Sequence, residues 1–393
     1  MSDDRLAIQA ADRRHLVHRG VILATTVSLW GMKDLPLINE IERSKKVEAI
    51  REKHWKHWER KAPWIEAELN AEPLVAVGAV MLLVSNMKIF ALLLLLFPLL
   101  NAYVCAKSQP LKVFILAGQS NMEGQGVVSM NHEQSYNGGK GNLVWSMANS
   151  ASKEKMTHLR DDDRKWVVRD DVEISFKAKG KVRRGGLTIG YTGYGRSSHI
   201  GPELQFGHIV GDHFDEPVLL IKTAWGGKSL NKDFRPPSSG GEVGAYYKQM
   251  IEEVRTALGD QPHELVGFIW MQGWNDMVSK EATAEYETNL VNLAKDIRAQ
   301  FKSPKLPFVV GELGNGGAAK EGSGMQVFRE AQKRGASKIG HSVFVATAEF
   351  ARPKELSPNV GHGHHWCGNA ESYFLVGDAL GRAALQMLEG SGS

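Results

Sequence analysis

Five short apolar segments, separated by longer segments of helical periodicity, constrain the fold of this 393-residue chain more than any other feature. The five are residues 113–117 (VFILA), 218–222 (VLLIK), 266–271 (VGFIWM), 308–311 (FVVG) and 343–346 (VFVA). Short runs without polar alternation are typical of parallel strands that are buried on both faces. The chain therefore predicts a mainly parallel sheet.

Helical periodicity fills the intervals between these segments. It extends over residues 201–214, 244–258, 282–301, 325–335 and 369–389. Because strands that alternate with helices form parallel sheets with helices on both faces, we predict a three-layer α/β/α sandwich of the flavodoxin-like type over residues 107–390. The stretch between Ser120 and Gly201 is rich in glycine and charge and does not fit this alternation. We expect it to form a long polar insertion over the edge of the sheet.

Residues 74–106 form an almost uninterrupted apolar run in which Lys88 is the only charge. In one interpretation, Met87 is the true start and this run is a signal peptide. Val104 and Ala106 would then precede the cleavage site as acceptable small residues. Cleavage there would release a secreted or periplasmic domain.

In the alternative interpretation, translation starts at Met1 and part of the run spans a membrane as an anchor. The basic segment over residues 43–61 would stay in the cytoplasm, and the domain that follows would lie outside. A buried core helix is a third interpretation, which the length and uniformity of the run disfavour. The predicted organisation is an N-terminal appendage over residues 1–73, a signal peptide or membrane anchor over residues 74–106, and the globular domain over residues 107–390.

The composition excludes several classes of function. A formal net charge of +4 is too small and too dispersed to indicate a nucleic-acid partner. Cys105 and Cys367 are the only cysteines, and they provide neither a zinc spacing nor a disulfide framework. No phosphate-binding loop of a standard type is present, so we predict no cofactor.

Four polar segments follow predicted strands, where open α/β sheets bind their ligands. In residues 118–124 (GQSNMEG), Ser120 lies at a strand-to-helix turn. Its hydroxyl could be exposed there and its N–H could bind an oxyanion, or it could simply cap the helix. In residues 223–229 (TAWGGKS), the glycine pair could bring a backbone N–H close to a substrate oxygen, or could form a plain turn.

The third segment, residues 270–276 (WMQGWND), contains Gln272 and Asn275. Their side chains could present N–H donors to a pocket, although Asn275 could equally form a helix cap. The fourth, residues 361–369 (GHGHHWCGN), places three histidines before the last helix. Histidines on such a loop indicate a base or a metal site, but no carboxylate or cysteine has matching spacing, so we predict no metal.

In this order, the four segments resemble the SGNH hydrolases, which carry a Ser, a Gly, an Asn in G-x-N-D and a His near the C-terminus. Residues 273–276 (GWND) read as G-x-N-D. AGQSNM, the glycine pair and W-x-Q-G are similar to the carbohydrate-esterase branch, which includes acetyl xylan esterases and sialate O-acetylesterases. The resemblance covers about residues 111–388. It implies a serine esterase that removes acetyl groups from carbohydrate.

The resemblance also implies a role for each matching residue. Ser120 would attack the acetyl carbonyl, and His365 would accept its proton. His365 is preferred to His364 because HWCGNAE aligns with the family without a gap. The oxyanion donors would be the N–H groups of Ser120 and of Gly226 or Gly227, with the Asn275 side chain. The substrate-binding residues would be Gln119, Asn121 and Gln272.

One position departs from the family pattern, which has an aspartate three residues before the catalytic histidine. His362 occupies that position here and brings no negative charge. We expect Glu349, after the fifth predicted strand, to accept a hydrogen bond from His365 Nδ1, with Glu355 as the second candidate. Failing these, a backbone carbonyl would accept it, or the chain would use a Ser–His dyad.

Two other functions remain open at this point. The missing aspartate is compatible with a non-catalytic carbohydrate-binding domain on the same fold, because a fold does not guarantee a function. A lipid esterase or thioesterase would need an apolar lid, whereas the insertion before Gly201 is polar.

Overall fold

The computed structural model describes residues 110–194 and 197–390, which all belong to one unit of the chain, Lys107–Ser393. The predicted appendage over residues 1–73 and the predicted signal peptide or anchor over residues 74–106 lie outside the described residues. Within the described ranges, no helix is both long enough and apolar enough to cross a membrane.

The strands form a sheet and a small separate ribbon. They are β1 (Leu111–Gly118), β2 (Gly126–Val127), β3 (Arg169–Ala178), β4 (Lys181–Leu187), β5 (His199–Ile200), β6 (Val218–Ala224), β7 (His263–Met271), β8 (Phe308–Gly311) and β9 (Ser342–Val345). Seven of them form one sheet in the order β4-β3-β6-β1-β7-β8-β9, and β2 pairs with β5. Within the sheet, only the β3–β4 pair is antiparallel.

Helices cover both faces of this sheet. They are α1 (Ser120–Glu123), α2 (Glu133–Tyr136), α3 (Leu143–Asn149), α4 (Glu203–Gly211), α5 (Ala245–Leu258), α6 (Trp274–Met277), α7 (Lys280–Gln300), α8 (Gly324–Lys338) and α9 (Ala370–Glu389). Along β1, Phe114 and Leu116 join the core under α4 and α9, whereas Ile115 and Ala117 join the core under α5, α7 and α8. This alternation confirms the predicted three-layer sandwich.

Each predicted strand and helix is present, with ends that differ by three residues or fewer. The insertion is the exception, because it contributes β3 and β4 to the sheet instead of only lying over its edge. Val172, Ile174 and Phe176 of β3 are buried against the core beside α4. They alternate with polar residues, as expected of an outer strand, and β3 pairs in parallel with β6.

The strand order creates a crevice at the carboxyl edge of the sheet. β1 lies between β6 and β7. The strands that follow β1 in sequence, β3, β4 and β6, lie on one side of it, and β7, β8 and β9 lie on the other side. The direction of strand addition therefore reverses at β1, which is where open α/β sheets form a crevice. Gly118 ends β1 at a φ of 155°, and a Cβ there would lie 2.0 Å from the carbonyl oxygen of Met271 in β7. Only glycine allows this close approach, which brings the segments after β1 and β7 together.

Candidate active site

Ser120 and His365 form a hydrogen-bonded pair. Ser120 begins α1 directly after β1, and His365 lies in the 3₁₀ segment Gly363–Gly368 that precedes α9. Ser120 Oγ and His365 Nε2 are 2.9 Å apart. The structure therefore brings together the nucleophile and the base that were predicted from separate segments of the sequence.

A second contact indicates which nitrogen of His365 carries its proton. The side-chain Nε2 of Gln125 lies 3.1 Å from His365 Nε2. An amide nitrogen donates, so this contact favours His365 Nε2 as the acceptor and a neutral imidazole protonated on Nδ1. This is the tautomer that can accept the proton of the Ser120 hydroxyl.

The hydrogen bond predicted between His365 Nδ1 and Glu349 is not formed. His365 Nδ1 is buried and has no hydrogen-bond partner among the described residues, which excludes a backbone carbonyl as well. Glu349 and Glu355 both have exposed side chains, because each lies in a short 3₁₀ turn at the surface. In the part of the chain that the structure describes, the site is thus a Ser–His pair without a hydrogen-bonded acid.

A different carboxylate, Glu312, is buried in this region. It follows β8, and its Oε2 accepts the N–H groups of Thr347 at 2.7 Å and Ala348 at 2.9 Å. Arg329 Nε lies 3.7 Å from its Oε1. Glu312 therefore holds the loop that carries Glu349.

The environment of His365 favours the neutral ring. Burial is the main reason that its pKa falls to about 3, and the neighbouring His364 and His362 lower the pKa further. The ring centroids of His364 and His365 are 4.0 Å apart. His365 is consequently unprotonated at neutral pH and free to accept a proton. Within the described ranges, no set of three or more ligand side chains could hold a metal ion.

The predicted oxyanion donors differ in their availability. The Ser120 N–H lies at the first position of α1, where an amide has no acceptor within the helix. Asn275 Nδ2 donates to the Gly227 carbonyl at 2.8 Å, which leaves its second N–H for a ligand. The N–H of Gly226, in contrast, donates to Glu123 Oε2 at 3.0 Å. The prediction of Gly226 as an open donor is therefore wrong, while Gly227 stays a prediction.

Gln119 and Gln272 support the site from its buried side. Each has only 2% of its surface exposed. Gln119 Oε1 accepts the Gly273 N–H at 3.0 Å and the Gln272 side-chain amide at 3.2 Å. Gln272 Nε2 also donates to the Lys228 carbonyl at 2.9 Å. These contacts tie the segments after β1, β6 and β7 together, and contact of the two glutamines with substrate stays a prediction.

Asn121 has the same kind of structural role. Its Nδ2 donates to the His364 carbonyl at 3.1 Å, and its Oδ1 accepts the Tyr373 hydroxyl at 2.8 Å. Tyr373 belongs to α9. Asn121 is 3% exposed and joins the nucleophile turn to the histidine loop, and its contact with substrate stays a prediction.

Asp276 is a site-building residue that the sequence reasoning missed. It is fully buried and accepts the N–H groups of Leu230 and Asn231, each at 2.8 Å. Burial raises its pKa to about 6. Asp276 thus positions the loop that carries Gly226, and its place directly after Asn275 in the G-x-N-D motif was the available signal.

A buried ion pair next to the nucleophile turn supports it. Lys222 Nζ lies 2.7 Å from Glu203 Oε2, and neither side chain is exposed to solvent. Lys222 also donates to the carbonyls of Glu123 and Tyr191, both at 2.8 Å. Since an ammonium group has three N–H donors, all of them are used within the protein.

Comparison with known families decides the relationship. The family described as carbohydrate esterase, sialic acid-specific acetylesterase, matches residues 110–386, which is well over half of the chain. The chain belongs to this carbohydrate esterase family. The resemblance inferred from the four segments is therefore confirmed.

The relatives of this member of the carbohydrate esterase family have low sequence identity to it. A probable carbohydrate esterase of Arabidopsis thaliana is 25% identical over 218 residues, covering 53% of this chain and 71% of the relative. A solved structure of an Arabidopsis thaliana protein has a TM-score of 0.48 at 17% identity and covers 71% of this chain and 99% of that chain.

Two further solved structures are similar. A carbohydrate acetylesterase from Xanthomonas citri has a TM-score of 0.46 at 18% identity, covering 71% of this chain and 56% of that chain. NanS has a TM-score of 0.46 at 12% identity, covering 72% of this chain and 98% of that chain.

Proposed function

We propose that this chain is a serine esterase that hydrolyses O-acetyl esters on carbohydrate through an acyl-enzyme. The observation that carries the proposal is the 2.9 Å hydrogen bond between Ser120 Oγ and His365 Nε2, with Nε2 as the acceptor. Membership of the carbohydrate esterase family supports acetylated carbohydrate as the substrate class.

The reaction follows from this pair. Ser120 Oγ attacks the acetyl carbonyl carbon while His365 Nε2 takes the hydroxyl proton. The Ser120 N–H and the free N–H of Asn275 then stabilise the tetrahedral oxyanion. His365 returns the proton to the leaving sugar oxygen, which gives a free sugar and acetyl-Ser120. Water attacks this ester while His365 Nε2 takes its proton, and His365 then returns that proton to Ser120 Oγ as the acyl–oxygen bond breaks and acetate is released.

His365 would perform these transfers as part of a dyad. No carboxylate of residues 110–194 or 197–390 contacts its Nδ1, so no counter-ion from these residues would offset the positive charge formed during each step. Gln125 supports the neutral starting tautomer through its contact at 3.1 Å with Nε2. The proposed mechanism therefore uses a Ser–His dyad in place of the catalytic triad of the family pattern.

We further propose that the domain acts outside the cytoplasm, as a secreted or periplasmic protein or one held at the membrane through residues 74–106. The apolar run with its single charge at Lys88 supports this location. Sequencing the N-terminus of protein from the native host tests it. A start near Lys107 supports cleavage, a start at Ser2 supports the anchor, and fractionation of either form with cytoplasmic markers contradicts export.

An acetate-release screen tests the enzymatic function. The full chain is incubated with acetylated xylan, acetylated sialic acids and a simple aryl acetate, with the Ser120→Ala variant as the control. We expect acetate from at least one carbohydrate and none above background from the variant. Sugar binding without acetate release would instead support a binding domain, and a preference for long-chain acyl esters would support a lipid esterase.

A further inference from the structure

Glu123 places a carboxylate beside the nucleophile. Ser120 and Glu123 are the first and last residues of α1 and lie three positions apart, so their side chains share one face of the helical turn. Glu123 has no part in the proposed proton transfers. Its carboxylate nevertheless lies on the same side of the turn as the hydroxyl that would accept the acyl group.

The carboxylate of Glu123 is held in place by two neighbouring glycines. A Cβ on Gly193 would lie 1.7 Å from Glu123 Oε1, so a side chain there would displace the carboxylate. Glu123 Oε2 accepts the Gly226 N–H at 3.0 Å. A Cβ built on Gly226, which is exposed, would lie 3.4 Å from that oxygen and 3.7 Å from Ser120 Cβ. The carboxylate therefore lies at the open side of Ser120.

No cation within the described ranges forms an ion pair with this carboxylate. Lys222 lowers the pKa of Glu123 through its charge, but burial outweighs this and raises the pKa overall. The Lys222 ammonium is paired with Glu203 and donates to the carbonyl of Glu123, not to its carboxylate. Lys179, which also acts on Glu123, is exposed in the turn between β3 and β4. Glu123 thus presents a carboxylate without an ion-pair partner among the described residues.

We propose that Glu123 makes this site selective for acetyl esters on uncharged sugars, and against acetylated sugars that carry a carboxylate, such as sialic acids. This inference rests on the proposed esterase function and specifies its substrate class. A substrate carboxylate would approach Glu123 because both flank the ester that Ser120 attacks. Two like charges about 10 Å apart at an effective dielectric constant of about 20 reduce binding roughly tenfold.

A matched substrate pair isolates this charge effect. An O-acetylated sialic acid and its carboxylate methyl ester differ in one charge, and only acetate release is measured, at pH 8. In the wild-type chain we expect kcat/KM for acetate release to be roughly tenfold higher with the methyl ester. In Glu123→Gln the two substrates should become nearly equal. Glu264→Gln removes the same charge at the other end of the sheet, at the start of β7, and should keep the wild-type ratio.

The proposal is overturned if the wild-type chain hydrolyses the free acid as well as the methyl ester, or if Glu123→Gln keeps the wild-type ratio. Should Glu123→Gln fail to fold, the wild-type ratio is compared at low and high salt. Screening should shrink a ratio that arises from charge, and an unchanged ratio would also overturn the proposal. Failure of the esterase function is distinguishable, because then neither these substrates nor an aryl acetate releases acetate.

Discussion

The two sides of Ser120 are built in different ways. Behind it, four side chains are nearly inaccessible to solvent and use their polar groups to join neighbouring segments: Gln119, Asn121, Gln272 and Asp276. In front of it, Gly226 is exposed and Asn275 is half-buried with one N–H unused. The buried side chains therefore hold the nucleophile in position, whereas the accessible residues are those that an approaching substrate would contact.

The largest effect should come from the base in front of Ser120. His365→Ala removes the acceptor for the hydroxyl proton, and we expect kcat/KM for an aryl acetate to fall roughly 10⁴-fold or more. His364→Ala is the matched control on the same loop and should fall much less, because its ring does not contact Ser120. Equal losses in the two variants would contradict the assignment of His365.

Asn275→Ala tests the donor on the open side. Loss of one oxyanion donor should lower kcat by roughly a hundredfold with little change in KM. Steady-state kinetics on an aryl acetate measure both constants, and a melting curve checks that the Gly227 contact is not needed for folding. If KM rises while kcat stays constant, Asn275 binds the ground state only.

Gln272→Ala tests the side behind Ser120. It removes the buried side-chain amide that donates to Gln119, Asp276 and the Lys228 carbonyl, so we expect the free energy of unfolding to fall by about 1–3 kcal/mol. Denaturant unfolding measures this change, and kcat should fall less than in Asn275→Ala. A large loss of kcat with unchanged stability would show that Gln272 contacts the substrate after all.

Glu349→Gln should have the smallest effect. Because the Glu349 side chain is exposed and does not contact His365, we expect kcat for an aryl acetate to stay within about twofold of wild type, as for most surface substitutions. A loss of several orders of magnitude would restore Glu349 as a triad member and would contradict the dyad.

The fold and the reacting pair could be predicted from the sequence for identifiable reasons. Strands buried on both faces leave runs such as residues 113–117 without polar residues, and Ser120 and His365 belong to segments that follow such strands. The β3–β4 hairpin was missed because charged ends conceal the apolar alternation in β3. Its pairing with β6 depends on contacts that are distant in sequence.

The details of the site were less predictable. The direction of the Glu349 side chain depends on a 3₁₀ turn that Glu312 holds from another strand. The contact between Glu123 and Gly226 joins residues 103 positions apart. Such contacts follow from the assembled sheet, so no local pattern in either segment could indicate them.

The most direct test of the Ser120–His365 pair is covalent labelling of the full chain. A fluorophosphonate reacts with a serine that an adjacent base activates, and peptide mass spectrometry identifies the modified residue. We expect a single adduct on Ser120, slowed by an acetylated carbohydrate substrate and lost in His365→Ala. Inactivation with the adduct on another residue, or acetate release by a chain that never labels Ser120, would contradict the proposed mechanism.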